Sequence, residues 1–448
     1  MKKYRYLSCL LALVFVLSSL SIPALALDDP DPQCGAAILV DGDYDEVLYE
    51  KNAHERMYPA SITKIMASLL VMEALERGEF ALDTEVAASK AAIDALTPDA
   101  STQNIKPGEI LTVEQLLYCD LVSSANEACN ILAELVAGSM EAFVELMNDR
   151  ASELGMENTH FANANGLHDP EHYSTAYDIY LMAKEAMKHE LFRTIVSTAK
   201  YVVPSTNMSG ERTLRTTNAL IDNWRVAGYI YPYAIGIKTG FTTPAGQCLA
   251  SAAMDAEGRT YYCVILGAEN VKNEDGTLTR YSFKESRRLF EWGFDHFERT
   301  VLMDKDLLLR EVPVTLSDTE HVLVRPTGTV ERTMPTDYDP DHAELIIDLP
   351  ESVEAPVTAG QKMGSVTLVY DGEELGTLPL IATDSVERSE TQYYIQQVQI
   401  YLGMWWVKAI LIGTGILILL LVFWIGVIRP RRKRRRRYSY SGGRRRRY

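Results

Sequence analysis

The sequence predicts an α+β fold in which an antiparallel sheet packs against a cluster of helices, followed by a small all-β domain and a transmembrane helix. Three observations support this prediction. Strand-like segments stand at both ends of the region before about Arg299, with helix-like segments between them, so the two ends can share one sheet. Short strands separated by turn residues follow. The run Ala409–Ile428 then carries no charge over twenty residues.

The chain begins with a segment typical of a secretory signal peptide. Basic residues at positions 2, 3 and 5 precede the apolar run Leu7–Ile22, and Ala24-Leu25-Ala26 has the small-x-small pattern of a cleavage site. We therefore expect a signal peptide over residues 1–26. The alternative is an uncleaved N-terminal anchor, although the apolar run is short for a membrane span.

The first domain, predicted over residues 27–298, opens with a hairpin in which Ala36–Val40 and Val47–Tyr49 flank an acidic turn. The segment Ile62–Leu75 is apolar on nearly every face, which predicts a helix buried in the middle of the domain. The segment Leu82–Gly108 is polar and irregular, which predicts a loop.

The rest of this domain shows amphipathic spacing first and extended segments afterwards. Helices are predicted over Thr112–Leu121, Ala128–Val136, Met140–Leu154, Thr175–His189 and Ser282–Phe297. Extended segments are predicted over Tyr201–Pro204, Arg212–Asn218, Tyr233–Lys238, Gln247–Met254 and Tyr261–Ala268.

A β-rich domain is predicted over residues 299–385, and it contains no set of residues that predicts a second activity. Its strands are expected over Val312–Leu316, His321–Val324, Ala343–Leu349, Ser365–Tyr370 and Leu378–Ala382. A membrane-proximal linker over residues 386–408, with a helix over Gln392–Leu402, leads into the transmembrane helix at 409–428.

The formal net charge of −17 is divided unevenly along the chain. Every Asp and Glu lies between Asp28 and Tyr401, whereas residues 429–448 hold twelve basic residues. A basic segment beside an apolar span stays in the cytoplasm by the positive-inside rule, so we expect a single-pass membrane protein with its acidic body outside the cell. A nucleic-acid-binding tail is the alternative, but topology already accounts for the arginines and no nucleic-acid partner is expected.

Cysteine and histidine spacing does not predict a metal site or another cofactor. Five cysteines remain beyond the signal peptide, and an odd number argues against a full disulfide framework. A bridge between Cys248 and Cys263 stays open, because both lie on arms of one predicted hairpin. His168 and His172 are four residues apart, but Pro170 prevents the helix that would align them as ligands.

A serine and a lysine stand three residues apart at the start of the apolar helix. On a helix, Ser61 and Lys64 would share one face. A serine hydroxyl becomes a good nucleophile only when a neighbouring base takes its proton, and a lysine can do so when burial or nearby cations lower its pKa. Ser61 is therefore the candidate nucleophile and Lys64 its candidate base.

This spacing is weak on its own, because Ser197 and Lys200 repeat it. That second pair runs into the β-like stretch Tyr201–Pro204, so its side chains would not share a helix face. The first pair is accompanied by Ser124-Ala125-Asn126 between two predicted helices and by Lys238-Thr239-Gly240 at the end of a predicted strand.

This ordered set resembles the signature of penicillin-binding proteins and class A β-lactamases. Further segments are similar to the D-alanyl-D-alanine carboxypeptidases, the low-molecular-weight penicillin-binding proteins. These are Leu154-Gly155-Met156, Thr159, Phe161, Asn163, Gly166-Leu167, Tyr173-Ser174-Thr175-Ala176 and Thr217-Asn218. The similarity covers Ala36 to about Phe297, and Ala359–Leu380 is similar to the C-terminal β domain of that family. The resemblance implies a penicillin-binding, β-lactamase-like fold for the first domain.

The resemblance also implies an activity, namely removal of the terminal D-alanine from peptidoglycan stem pentapeptides, which limits cross-linking. Ser61 would form an acyl-enzyme, and β-lactams would trap it. Lys64 would act as the base, Ser124 would relay the proton to the leaving amine, and Asn126 would orient the substrate amide.

Lys238, Thr239 and Gly240 would receive the terminal carboxylate and the substrate backbone, since a free carboxylate needs a cation and a hydroxyl. The backbone N–H groups of Ser61 and Phe241 would form the oxyanion hole. The chain departs from the family pattern in two places, because Phe241 stands where histidine is frequent and Ala125 where asparagine or glycine is found.

Two alternatives remain at this point. A β-lactamase would share the acylation chemistry but needs a carboxylate near Ser61 to activate water, and Glu153 or Glu157 lies at a suitable distance along the sequence. A catalytically silent wall-binding protein is the other alternative, which the intact set of serines and lysines disfavours.

Overall fold

The computed structural model of the chain describes residues 29–428. The predicted signal peptide and the basic tail at 429–448 lie outside the described residues. The chain divides into two units. The first contains the residues up to Arg299 together with Thr333–Asp337, and the second contains Thr300–Arg332 and the residues from Tyr338 onward.

A five-stranded antiparallel sheet lies at the centre of the first unit. The strands of this unit are β1 (Ala36–Asp41), β2 (Glu46–Lys51), β3 (Glu85–Ala87), β4 (Ile110–Thr112), β5 (Lys200–Val203), β6 (Arg212–Arg215), β7 (Ala234–Thr242), β8 (Gly246–Met254), β9 (Thr260–Ala268), β10 (Asn270–Lys272) and β11 (Leu278–Arg280). The sheet has the order β2-β1-β9-β8-β7, and the pairs β3–β4, β5–β6 and β10–β11 form separate ribbons. The two ends of the domain therefore share one sheet, as predicted.

Helices cover both faces of this sheet. They are α1 (Lys64–Glu76), which a 3-10 turn at Ala60–Thr63 precedes, α2 (Lys90–Asp94), α3 (Val113–Leu121), α4 (Asn126–Ala137), α5 (Met140–Glu153), α6 (Ala176–Ala186), α7 (Glu190–Val196) and α8 (Tyr281–His296). The prediction of an α+β fold is confirmed.

Strand β1 shows how the sheet separates two apolar cores. Ile38 and Val40 belong to the larger core, which contains α1 and the other helices of the cluster. Ala37 and Leu39 point the opposite way, into a smaller core with residues of α8. Helix α1 is buried along almost its whole length, which agrees with an apolar pattern that has no polar face.

The segment predicted as a loop over Leu82–Gly108 contains regular structure. Strand β3 pairs with β4, and helix α2 forms because the Ser89 side chain caps it by accepting a hydrogen bond from the Ala92 N–H at 2.9 Å. Both elements are three to five residues long, so their hydrophobic periodicity is too short to recognise.

The second unit contains a six-stranded sheet over its own apolar core. The remaining strands are β12 (Phe297–Met303), β13 (Arg310–Thr315), β14 (His321–Pro326), β15 (Val330–Pro335), β16 (Ala343–Asp348), β17 (Val353–Glu354), β18 (Lys362–Tyr370) and β19 (Glu373–Ala382). The sheet has the order β16-β18-β19-β14-β13-β17, and β12 pairs with β15. Val324, Val366 and Leu380 are fully buried in its core.

Two helices follow this sheet, α9 (Glu390–Gly403) and α10 (Trp405–Phe423). The helical stretch Trp405–Gly426 is 22 residues long and, by length and composition, is able to cross a membrane. No side chain of α9 or α10 is buried. Exposed apolar residues along a helix of this length are stable in a lipid environment rather than in water.

Candidate active site

Ser61 lies in the 3-10 turn that leads into α1. Because a 3-10 turn has three residues per turn, positions i and i+3 eclipse each other, and this brings Lys64 directly over Ser61. The Lys64 Nζ donates a hydrogen bond to Ser61 Oγ at 3.1 Å. Ser61 stays partly exposed, whereas the Lys64 side chain is completely buried. The hydroxyl can therefore meet a ligand while its neighbouring amine is shielded from water.

Lys64 has two further hydrogen-bond acceptors. Its Nζ donates to Asn126 Oδ1 at 2.8 Å and to the Asn165 backbone oxygen at 2.6 Å. The sequence predicted Asn126 but not Asn165. The Asn165 side chain donates to Asn130 Oδ1 at 3.0 Å and accepts from the Leu167 N–H at 3.0 Å, so the carbonyl that meets Lys64 is held firmly in place.

Lys238 and Ser124 form a second hydroxyl–amine pair. The Lys238 Nζ donates to Ser124 Oγ at 2.9 Å and to the Thr239 backbone oxygen at 3.0 Å. Ser124 lies on the short loop between α3 and α4 in the left-handed region, with φ of 65°. Residues 114 positions apart in sequence therefore meet through the packing of β7 against this loop.

Two glycines allow backbone segments to approach the nucleophile. A Cβ atom at Gly240 would lie 2.8 Å from the Pro59 oxygen and 3.1 Å from the Ser61 nitrogen. A Cβ atom at Gly166 would lie 2.0 Å from the Ala60 oxygen. Side chains at either position would push the Ser61 turn away, so both glycines are required for the shape of the site.

The end of β7 carries the remaining predicted residues. Thr239 Oγ1 lies 2.5 Å from Thr217 Oγ1, and either hydroxyl can be the donor. When Thr217 donates, the Thr239 O–H stays free to donate to a ligand. The Phe241 side chain is 59% exposed. Its backbone pairs with Gln247 of β8, and the close approach of Gly240 to the Ser61 nitrogen brings this strand end beside the nucleophile.

Burial is the main influence on both lysines. It lowers the pKa of the Lys64 ammonium below its ordinary value, against the opposing effect of Cys129, Asp120 and Glu127. Burial also lowers the pKa of Lys238, and the charge of Lys64 lowers it further. A lowered pKa makes an amine easier to deprotonate, which a base for a serine hydroxyl requires.

The competing serine–lysine pair does not form a site. Ser197 is the C-cap of α7, where its Oγ donates to the Thr194 backbone oxygen, and Lys200 is the first residue of β5. The two residues therefore lie on different elements, as the sequence predicted.

The side chain of His172 has protein hydrogen-bond partners, and the described cysteines form no disulfides. His172 is 2% exposed and hydrogen-bonds Thr63 Oγ1 and the Ala162 N–H. All cysteines among residues 29–428 are free. In the ladder between β8 and β9, Cys263 stands opposite Ser251 rather than Cys248, so the two thiols do not face each other.

The sequence profile of the D-alanyl-D-alanine carboxypeptidases matches residues 24–270, and that of the C-terminal domain of penicillin-binding protein 5 matches residues 297–388. The D-alanyl-D-alanine carboxypeptidase DacF of Bacillus subtilis (strain 168) is 31% identical over 354 residues, which cover 79% of this chain and 86% of the relative. DacC of Escherichia coli (strain K12) is 31% identical over 372 residues, which cover 81% and 86%.

A solved structure extends the similarity to the fold. Penicillin-binding protein 5 from Haemophilus influenzae superposes with a TM-score of 0.61 at 25% identity, over 81% of this chain and 100% of that one. The profile match over residues 24–270 includes the segments that carry Ser61, Ser124 and Lys238. The chain therefore belongs to the D-alanyl-D-alanine carboxypeptidase family of serine peptidases.

Proposed function

We propose that the chain removes the terminal D-alanine from peptidoglycan stem peptides that end in D-Ala-D-Ala, through an acyl-enzyme on Ser61. The observation that carries this proposal is the contact between a fully buried lysine amine and the partly exposed Ser61 hydroxyl, 3.1 Å apart. The relatives that cover most of this chain are D-alanyl-D-alanine carboxypeptidases.

The acylation step begins with the neutral Lys64 amine. It takes the proton from Ser61 Oγ, and the oxygen forms a bond to the carbonyl carbon between the two D-alanines. The carbonyl oxygen becomes an oxyanion, which the N–H groups of Ser61 and Phe241 stabilise. Asn126 orients the substrate amide while its own Oδ1 holds the Lys64 amine.

Collapse of the tetrahedral intermediate breaks the bond to the leaving D-alanine. Ser124 Oγ–H donates a proton to the leaving nitrogen, while the charged Lys238 amine holds the Ser124 oxygen. The Lys64 ammonium then returns to Ser124 the proton that it took from Ser61, so Lys64 is neutral again. Water then adds to the ester on Ser61, with the neutral Lys64 amine taking its proton, and this proton returns to Ser61 Oγ as the shortened peptide leaves.

Recognition of the free C-terminus falls to the end of β7. Lys238 supplies positive charge, the Thr239 hydroxyl supplies a hydrogen-bond donor, and Gly240 lets the strand lie close to the substrate. A requirement for a terminal carboxylate distinguishes an exopeptidase from an endopeptidase.

A β-lactamase activity is not favoured. Hydrolysis of a penicillin ester needs a carboxylate that activates water beside the nucleophile. Glu153 is 65% exposed and pairs with Arg150, and Glu157 is exposed, whereas the groups that contact Lys64 are the amide of Asn126 and the carbonyl of Asn165. A β-lactam is therefore expected to acylate Ser61 and to leave slowly.

The test is mass spectrometry of the intact protein after incubation with a penicillin, together with release of D-alanine from a peptide that ends in D-Ala-D-Ala. The wild type should gain one penicillin and release D-alanine, and Ser61→Ala should do neither. Ser197→Ala is the matched control, because it removes the serine of the second serine–lysine pair, and it should behave as the wild type. An adduct that persists on Ser61→Ala would assign the nucleophile elsewhere.

We also propose the arrangement of the chain in the cell. A signal peptide over residues 1–26 exports a catalytic domain over 27–298 and a β domain over 299–385. The linker 386–408 and the apolar helix at 409–428 then anchor the chain, and the basic tail 429–448 stays in the cytoplasm. The length and composition of the stretch Trp405–Gly426 support the anchor. A C-terminal tag should resist protease added to intact cells and be digested after lysis, and digestion in intact cells would reverse this topology.

A further inference from the structure

Asp120 is a buried carboxylate that the catalytic steps above do not use. It lies in the last turn of α3 and is 1% exposed. Burial and this position on the helix both disfavour a charged carboxylate. Burial removes its hydration, and the C-terminal end of a helix carries partial negative charge. An acidic group in this position requires compensation from other parts of the structure.

Hydrogen bonds supply only part of that compensation. Ser68 Oγ donates to Asp120 Oδ2 at 3.0 Å. The other oxygen, Oδ1, is buried and accepts no hydrogen bond from any residue that the structure describes. A half-satisfied buried carboxylate is costly unless positive charge stands nearby.

The position of Ser68 shows where that positive charge is. Ser68 lies four residues after Lys64 on α1, which places both side chains on one face of the helix. Asp120 therefore lies one helical turn below the Lys64 amine. It also precedes Ser124 by four residues, and Ser124 Oγ contacts the amine of Lys238. The buried carboxylate thus lies close to both active-site lysines.

The electrostatic surroundings agree with this placement. Burial raises the pKa of the Asp120 carboxyl, and the charges of Lys64 and Lys238 lower it again. In the other direction, the charge of Asp120 raises the pKa of both lysines. The Cys129 thiol of α4 also faces this group, and its own pKa is raised well above the ordinary value by burial, so it stays uncharged.

The other charged groups around Asp120 have partners of their own. Glu127 of α4 acts on Lys64, but its Oε1 accepts hydrogen bonds from Thr102 Oγ1 and the Gln103 N–H, both at 2.7 Å. Glu109 pairs with Arg212 at 2.7 Å. Cys119, beside Asp120 on α3, has a pKa raised to about 12 by burial and is neutral. Glu127 Oε2 is, like Asp120 Oδ1, buried without a hydrogen bond from the described residues, but Glu127 acts on Lys64 alone, whereas Asp120 acts on both buried amines.

We propose that Asp120 is the buried counter-charge that allows one of the two lysines to stay protonated while the other is neutral. Asp120 places one negative charge beside two amines, and this favours one cation over two. Catalysis needs this division, since Lys64 must be neutral to take the Ser61 proton and Lys238 must be charged to bind a carboxylate. Asp120 acts through the lysines and is a positioning residue. The inference rests on the proposed function.

The test is the pH profile of acylation by a fluorescent penicillin, measured on the full-length chain in detergent from pH 5 to pH 10. In Asp120→Asn, both lysines lose an attractive charge, so each deprotonates at lower pH. The acidic limb, which reports the base, and the alkaline limb, which reports the cation, should both move to lower pH by about one unit. Asp120→Leu removes the same charge without adding a polar group, and it should move the limbs in the same direction.

Glu285→Gln is the matched control. Glu285 is 2% exposed on α8, on the opposite face of the sheet, so the change neutralises a buried carboxylate far from the lysines. Its profile should coincide with that of the wild type. Coincidence of the Asp120→Asn and Asp120→Leu profiles with the wild type, or a movement to higher pH, would overturn the inference. Neither result would affect the assignment of Ser61, which rests on the separate labelling of Ser61→Ala.

Discussion

The histidine beside the nucleophile helix should make the enzyme sensitive to acid. The Ala162 N–H donates to His172 Nδ1 at 3.0 Å, so this nitrogen must be unprotonated. The Nε2–H then donates to Thr63 Oγ1 at 2.7 Å. Thr63 is itself fully buried and directly precedes Lys64. A proton on Nδ1 would break the bond to Ala162 and place a charge in the core.

The size of the loss in stability at low pH follows from the shift in the pKa of His172. Burial lowers the pKa of His172 from 6.5 to about 4. Because the folded chain binds this proton less readily than the unfolded chain, the stabilisation is complete above pH 6.5 and is lost as the pH falls toward 4. The loss in the free energy of unfolding is about 2 kcal/mol between pH 8 and pH 5, and about 3 kcal/mol by pH 4.

The assay compares urea unfolding of the full-length chain in detergent, followed by circular dichroism, for the wild type and His172→Asn. The asparagine oxygen can still accept from the Ala162 N–H, but the amide does not titrate and the bond to Thr63 is lost. The variant should be less stable than the wild type by roughly 1–2 kcal/mol at pH 8. That difference should shrink toward pH 5, because only the wild type loses stability through this histidine.

A difference that stays constant from pH 8 to pH 5 would refute this reasoning. His54→Asn provides the control, because the His54 side chain is 61% exposed and its replacement should leave the pH dependence unchanged. The carboxylates titrate equally in all three chains, so their contribution cancels in the comparison.

The proposed roles around the nucleophile give three more predictions. Lys64→Ala should slow penicillin acylation by about 10³-fold, because the serine loses its base, and unchanged labelling would contradict that role. Gly240→Ala should slow acylation on the order of 100-fold, since the new Cβ lies 2.8 Å from the Pro59 oxygen. Gly210→Ala, where no atom lies within 4 Å, should not slow it. A chain that stops at Thr391 should be soluble and acylated at the wild-type rate, and a folded truncated chain that fails to react would disprove this.

The sequence predicted those parts of the site that depend on local spacing. Ser61 and Lys64 are three residues apart at the start of an apolar helix, and such a pair meets whether the turn is α or 3-10. The rejection of Ser197 and Lys200 was also local, because β-like residues follow them. The long apolar helix and the hairpins have strong periodicity, so the strands of the central sheet were predicted with small errors at their ends.

The contacts that depend on tertiary structure could not be predicted in this way. Asn165 meets Lys64 through its backbone oxygen, and a carbonyl gives no signal in a sequence because every residue has one. Asp120 is an acidic residue near the end of a helix that also carries Glu114, a pattern that usually indicates a polar edge. Its burial close to two lysines depends on how α1, α3 and β7 pack together.

Backbone conformation explains why the two hydroxyls stand where they do. Eight non-glycine residues among residues 29–428 have φ in the left-handed region, and five of them are Asn or Asp, which tolerate it. Of the other three, Ala60 precedes the nucleophile and Ser124 carries the second hydroxyl. Each costs roughly 1–3 kcal/mol, so surrounding contacts must hold them. Gly166 packs against the Ala60 carbonyl, and the Lys238 amine holds the Ser124 hydroxyl. Ala60 thus aims the hydroxyl of the Ser61 that follows it, and Ser124 aims its own, which the buried lysine that would bind the substrate also fixes.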